Sequence, residues 1–143
     1  MTVAEIATRR RRLLSLAYEV LVILALVIFL LLLPATVLAA VLQSPPSPRW
    51  LLLCLVGILG IYFIWCWVKG GQTLAMKTWR LWLVDAQSGR PLRPLQAVVR
   101  YGMAWLCWPT GLALLWSFLD ADGQFLHDRI AGTRIVYQSK PKA

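Results

Sequence analysis

Arg9-Arg-Arg-Arg12-Leu-Leu-Ser15-Leu-Ala-Tyr-Glu19-Val-Leu-Val-Ile-Leu-Ala-Leu-Val-Ile-Phe-Leu-Leu-Leu-Leu33 decides the fold. Four arginines run straight into an apolar segment long enough, as a helix, to cross about 30 Å of hydrocarbon. The guanidinium groups cannot follow it into lipid, so they fix the side from which it starts, and the excess of basic residues marks that side as cytoplasmic. Glu19 is the one charge inside the segment, and a carboxylate at such a depth is costly enough to suggest a use. The start resembles a secretory signal, with Val37-Leu38-Ala39-Ala40 as a passable cleavage site. The apolar stretch is too long for a signal core and carries Glu19, so an uncleaved span is expected.

Working outward, the first span covers 13–33, or reaches 42 if the helix continues past Pro34. Residues 43–49, with prolines at 45, 46 and 48, form a short external loop, because proline cannot continue a helix interior. A second span covers 50–68, with Trp50 at one end and Trp65 and Trp67 at the other, as interfacial aromatic belts require. Gly57 and Gly60 share roughly one face and leave room for a neighbouring helix. Residues 69–100 read as a cytoplasmic segment holding a short amphipathic helix (73–79), a strand (80–85), a turn (86–91) and a second short helix opened by Pro94.

The third apolar run, 101–119, is interrupted by Pro109-Thr110-Gly111, and neither half is long enough to cross alone. It either crosses as a broken helix or dips in and returns. Re-entry leaves Arg49 as the one externally placed residue among fifteen Lys and Arg; crossing would also export Arg129, Arg134, Lys140 and Lys142. The tail, 120–143, contains a strand at 133–138 whose available partner is 80–85, and two strands pair only on the same side of a membrane. Re-entry is therefore the expected topology. The fold class is an all-α polytopic membrane protein: two transmembrane helices, a third re-entrant or broken helical segment, and a small two-stranded cytoplasmic sheet, in one domain over 9–138.

Composition agrees: 59% of residues are apolar and 15% charged, unlike an ordinary soluble domain. The net charge of +9 flanks hydrophobic spans, so its partners are the lipid bilayer and anionic lipid head groups, and no nucleic acid is expected. Cys54, Cys66 and Cys107 all lie in apolar runs without Cys-x-x-Cys spacing and read as packing residues.

Seven positions separate Arg12 from Glu19, which places them within about 20° on a helix, with Ser15 between them on the same face. Arg12, Ser15 and Glu19 are thus the candidate intramembrane polar site, in which the guanidinium offsets the cost of the carboxylate. The bland alternative is a Glu19 that hydrogen-bonds a second helix and fixes packing. Asp120, Asp122, His127 and Asp128 cluster after the third run, but a single His among aspartates is no metal signature. Asp128 is expected to cap a short helix or pair with an arginine, and Asp85 to sit in a solvated turn. No nucleophile–base pair or phosphate-binding loop is present in the sequence, so neither enzyme chemistry, a cofactor nor a metal is expected.

Three passages carry a family resemblance: Arg11-Arg12 through Glu19; Gly71-Gln72-Thr73 leading through Arg80–Asp85 to Gly89-Arg90-Pro91; and His127-Asp128-Arg129 closing at Gly132. In this order and spacing the chain resembles the RDD family of small membrane proteins, named for one arginine and two aspartates. The resemblance implies that Arg12 and Glu19 occupy the places of the arginine and first aspartate, and Asp128 that of the second. Gly71, Gln72, Thr73 and Gly132 fall on its structural motifs. Glu19 for aspartate, and Ala75 and Met76 where a glycine and a basic residue are frequent, are the departures. The family is described in connection with transport, and one member is proposed to exchange cations for protons. The expectation is therefore a multi-pass protein of the bacterial inner membrane, N-terminus cytoplasmic, that assists or performs proton-linked transport of a small solute or cation. Two spans and a hairpin cannot enclose a pathway, so a homo-oligomer or a larger membrane partner is implied. The competing expectation is a non-transporting adaptor that presents its cytoplasmic segments to a partner protein.

Overall fold

Arginine, leucine and alanine at the start of the first apolar stretch all favour helix, and α1 begins at Arg9 and runs to Leu26. The structure, a computed structural model, describes residues 4–107, 109–120 and 124–138. Beyond α1 the chain passes through a π-helical segment, Val27–Leu32, into α2, Leu33–Leu42. Pro34 lacks an N–H and its ring crowds the carbonyl four residues back; widening the helix just ahead of it absorbs both problems. The helix therefore does not stop at Leu33: Arg10–Leu42 is continuous, about 50 Å long. It ends at Gln43, whose φ of 51° is left-handed.

The loop is shorter than the expected 43–49, because α3 starts at Pro48, where its fixed φ suits the first helical turn. Ser47 caps it by accepting from Trp50 N–H at 3.3 Å. α3 runs Pro48–Trp65 and continues as a π-helical turn, Cys66–Gly70, so the second long helix is Pro48–Gly70 rather than 50–68. These two helices are long and apolar enough to cross a membrane, and most of their apolar side chains stay exposed, including Val20, Leu21, Phe29, Leu53 and Ile61. A water-soluble domain would bury such a surface.

α4 (Leu74–Thr78) and β2 (Leu81–Asp85) follow as the sequence suggests. The short helix expected after Pro94 and the first half of the third apolar run are one element, α5, Pro94–Cys107. Pro94 sits at its start, and with nothing between Gln96 and Cys107 to break a helix the two segments merge. Gly111, at φ 70°, turns the chain into α6, Leu112–Leu119. α7 (Leu126–Ile130) and β3 (Thr133–Gln138) close it.

β2 and β3 pair antiparallel, Leu81 opposite Tyr137 and Asp85 opposite Thr133. A third strand, β1 (Ala4–Ile6), adds to the other edge of β3, giving the order β1-β3-β2 where two strands were expected. Three residues show no alternation to read, and this strand exists through its partner. The sheet packs Leu81, Leu83 and Ile135 against Trp67, Met76 and Ala97, so the core sits where the long helices, α4, α5 and the sheet meet. Gly60 marks a close approach of α3 and α5: a Cβ there would lie 3.2 Å from the Tyr101 ring, whose hydroxyl donates to the Val56 carbonyl at 2.7 Å. Gly57 meets nothing within 4 Å, so one of the two glycines serves packing.

Candidate functional site

The polar face of α1 turns inward. Arg12, Ser15 and Glu19 are 2%, 5% and 8% exposed, whereas Leu13, Val20 and Leu21 beside them are open. All three polar residues line a half-enclosed cavity of about 510 Å³, whose lining also draws on α3, α4, α5 and the sheet. That the three residues share one wall follows from spacing: residues three, four and seven apart on a helix share a face.

Glu19 does not pair with Arg12; among the described residues its carboxylate is held by two hydroxyls. Tyr62 Oη, on α3, donates to Oε1 at 3.0 Å, and Thr73 Oγ1 donates to Oε2. Thr73 caps α4 with the same oxygen, accepting from Met76 N–H at 3.3 Å. One side chain therefore ties α1 to the start of α4, and it does so because it can donate and accept at once. Arg12 reaches the sheet instead, with Nη2 donating to the Ile135 carbonyl at 3.5 Å. Arg11 stacks over the Tyr137 ring, 3.7 Å from its centroid. Two of the four arginines that set the boundary of the span thus also fasten α1 to β3.

Gly71, Gln72 and Thr73 work as a unit. Gly71, at φ 61°, ends the second long helix, and its carbonyl accepts from Leu83 N–H at 2.8 Å. A side chain there would be strained by the backbone and would press on Trp82. Gln72 Nε2 donates to the Leu81 carbonyl at 2.7 Å. The motif docks β2 onto the end of α3 and delivers Thr73 to Glu19. Gly132, at φ 64°, turns α7 into β3, and its carbonyl accepts from Ala86 N–H at 2.9 Å.

Asp128 is wholly buried. It does not cap α7, whose N-cap is Phe125; it pairs with an arginine. Arg100, on α5, directs Nε and Nη2 onto Oδ1, each at 2.7 Å. The Arg100 guanidinium also lies 4.2 Å from the centre of the Trp67 ring, and the residue lines the same cavity as Arg12. His127 stacks on Phe125 with ring centres 5.6 Å apart, and its Nε2 is 3.6 Å from Asp128 Oδ1. Burial pulls the His127 pKa down to about 4; the Arg100 charge adds to this and Asp128 opposes it. At neutral pH His127 is uncharged, so its contact with Asp128 is dipolar rather than an ion pair.

Asp120 pairs with Arg129 at 2.8 Å and accepts from Gln124 N–H at 2.9 Å, and Asp122 lies outside the described residues. Asp85 closes its turn by accepting from Gln96 Nε2 at 2.6 Å, from the N–H groups of Ser88 and Gln87 and from the Ser88 hydroxyl; the Gln96 amide leads these in holding its carboxyl below the usual range. Cys54, Cys66 and Cys107 are free thiols. Among the described residues no group of three or more His, Cys, Asp or Glu could hold a metal ion.

Sequence reasoning missed Tyr62 and the pairing of Arg100 with Asp128. Tyr62 had one signal, a hydroxyl inside an apolar helix. Arg100 had another, a guanidinium at the border of an apolar run, as with Arg12. Neither reveals its partner, which comes from a different element in each case.

No curated protein matches this chain, and no solved structure does. A family model, that of the RDD family, matches residues 6–132. The match takes in the polar face of α1, the Gly71-Gln72-Thr73 unit and Asp128 with its closing turn. Together with the two exposed apolar helices it supports a membrane protein. The chain belongs to the RDD family.

Proposed function

We propose that this chain is a multi-pass protein of the bacterial inner membrane, N-terminus cytoplasmic, that takes part in proton-linked transport of a small solute or cation. The observation that carries the proposal is the cavity of about 510 Å³ with Arg12, Ser15 and Glu19 on its wall. An apolar helix that buries three polar residues on one face, beside a cavity, offers a binding site at membrane depth. Glu19 is the group that changes protonation. Its donors are neutral hydroxyls, which can reverse their hydrogen bonds when the carboxyl gains a proton, as a guanidinium cannot.

In this reading the long helices cross, and α5 and α6 form a re-entrant hairpin. Pairing of β2 with β3 supports it, since the second strand follows the hairpin and the first precedes it. The apolar faces left open on α1, α2, α3 and α6 suit lipid and further copies of the chain or a larger membrane partner. Exposed basic residues such as Arg10 and Arg93 suit anionic head groups. No catalytic chemistry enters the proposal.

The test is purified protein in liposomes with an entrapped pH-sensitive dye and an imposed sodium, potassium or pH gradient. Proton movement above that of empty liposomes is expected, with loss in Glu19→Gln. Absence of movement, or an unchanged rate in that variant, overturns transport. The adaptor reading is favoured by a different observation, the compact unit in which the sheet packs with α4 and α5 while Arg100–Asp128 ties α7 to α5. It predicts recovery of a partner that depends on Asp128 and not on Glu19.

A further inference from the structure

The residues around the cavity divide by exposure. Those drawn from the second long helix, α4 and the sheet enclose it: Leu59, Trp67, Thr73, Met76, Leu81 and Ile135 are all buried. The exposed lining residues are Leu13, Ala17 and Val20 on α1 and Pro109 just beyond α5. Leu13, Ala17 and Val20 are spaced four and three apart, so they form one stripe along the helix. The cavity therefore opens sideways, between that stripe and the end of α5. Because α1 belongs to a helix long and apolar enough to cross a membrane, this mouth meets hydrocarbon rather than water.

The charged groups on the wall are engaged. Glu19 accepts from the Tyr62 and Thr73 hydroxyls, Arg100 is paired with Asp128, and Arg12 donates to the Ile135 carbonyl. Ser15 apart, the rest of the wall is aliphatic and aromatic. An apolar space of this kind stays dry and takes up hydrocarbon-like guests. Left empty, it would deprive its wall atoms of dispersion contacts. Lipid tails stand at the mouth and are as apolar as the leucines around them, so one can enter without losing solvation. A volume of about 510 Å³ suits a slender guest. It falls short of a helix from a second copy, which at about 10 Å across needs roughly 1,200 Å³ for ten residues.

We infer that the cavity is a lateral binding site for one acyl chain of a bilayer lipid, which enters past Ala17, lies against Val20 and Leu59, and leaves its head group outside. This inference goes beyond the transport proposal and does not need it. Where Glu19 moves protons, the seated chain covers its wall, and a solute reaches that wall when the chain withdraws.

The full chain in nanodiscs of phosphatidylcholine carrying a diazirine midway along one acyl chain tests this. Illumination joins the lipid to the residues its chain touches, and peptide mass mapping locates the adducts. Leu59 is the diagnostic position, since it lines the cavity and is buried; Ile61 is exposed on the same helix and outside the cavity. Both should be labelled. Ala104→Phe, which fills the cavity from α5, should cut labelling of Leu59 about tenfold and leave Ile61 unchanged. If that variant no longer folds, Ala17→Trp, at the mouth, takes its place. Phosphatidylglycerol with the same chains should change the Leu59 yield by less than about twofold, because the head group stays outside. The inference is overturned when Ile61 alone is labelled, when Leu59 labelling survives the filled cavity, or when it follows the head group. It also fails if Ala17→Cys forms disulfide-linked dimers that the parent does not while Leu59 stays unlabelled, which assigns the mouth to a second copy. Leu59 labelling without proton movement in liposomes would sink the transport proposal and keep the lipid site. Proton movement with Ile61 alone labelled would do the reverse.

Discussion

Glu19 and Asp128 are both buried acids on family-motif positions, and they are held in opposite ways. Asp128 is fully enclosed and meets a guanidinium fork; Glu19 borders a cavity and meets two hydroxyls. A charge paired with a charge is fixed, because removing either partner strands the other in a medium that cannot solvate it. A carboxylate held by neutral donors is adjustable. The difference separates a charge-paired joint between α5 and α7 from the candidate site that the proposal takes to respond to protons.

The joint should break hardest. Asp128→Ala leaves Arg100 buried without its counter-charge and should cost about 3–5 kcal/mol, read as a large fall in thermal midpoint of the purified protein in detergent. The double variant Asp128→Leu with Arg100→Leu should be milder than either single change, since both charges leave together. A double variant worse than the singles would mean that Asp128 does more than hold Arg100.

Acid should loosen the same joint. His127 binds its proton near pH 4 in the folded chain, against 6.5 when unperturbed. Between these values the unfolded chain holds more protons, so stability falls as pH drops through that window, by on the order of 3 kcal/mol. Melting His127→Gln across pH 4 to 7 should give a flatter profile, and an identical slope would show that His127 is not the source.

Changes at Glu19's donors should be smaller. Thr73→Val removes both a donor to Glu19 and the cap of α4, for about 2 kcal/mol. Tyr62→Phe removes one donor from a half-buried site, for about 1 kcal/mol. Thr73→Ser keeps both hydrogen bonds and should stay near the parent. If Tyr62→Phe proved as damaging as Asp128→Ala, the contrast between a fixed and an adjustable acid would collapse.

Much of this was legible in the chain. The run from Leu13 to Leu33 could be nothing but a long helix, and the spacing of Arg12, Ser15 and Glu19 put them on one face. Asp85 before Gln87-Ser88-Gly89 read as a turn, and a turn forms there. The errors lie where local rules meet a neighbour. At Pro34 the sequence left open an end at Leu33 or a helix reaching 42, and the helix widens and passes it. Pro94 and Tyr101 read as belonging to separate elements, yet one helix holds both. Arg12 and Glu19 share a face, but each found a better partner off the helix.

The sequence by itself determined that two long apolar helices form and roughly where, the ends at which their charges gather and the face on which α1 is polar. These depend on residue type and helical period, which are local. The tertiary structure alone decided that Tyr62 and Thr73 meet Glu19, that Arg100 meets Asp128, that a three-residue strand joins the sheet, and that a cavity remains beside α1. Such contacts join residues 28 to 134 positions apart, and only the packing of whole elements can bring those residues within bonding distance.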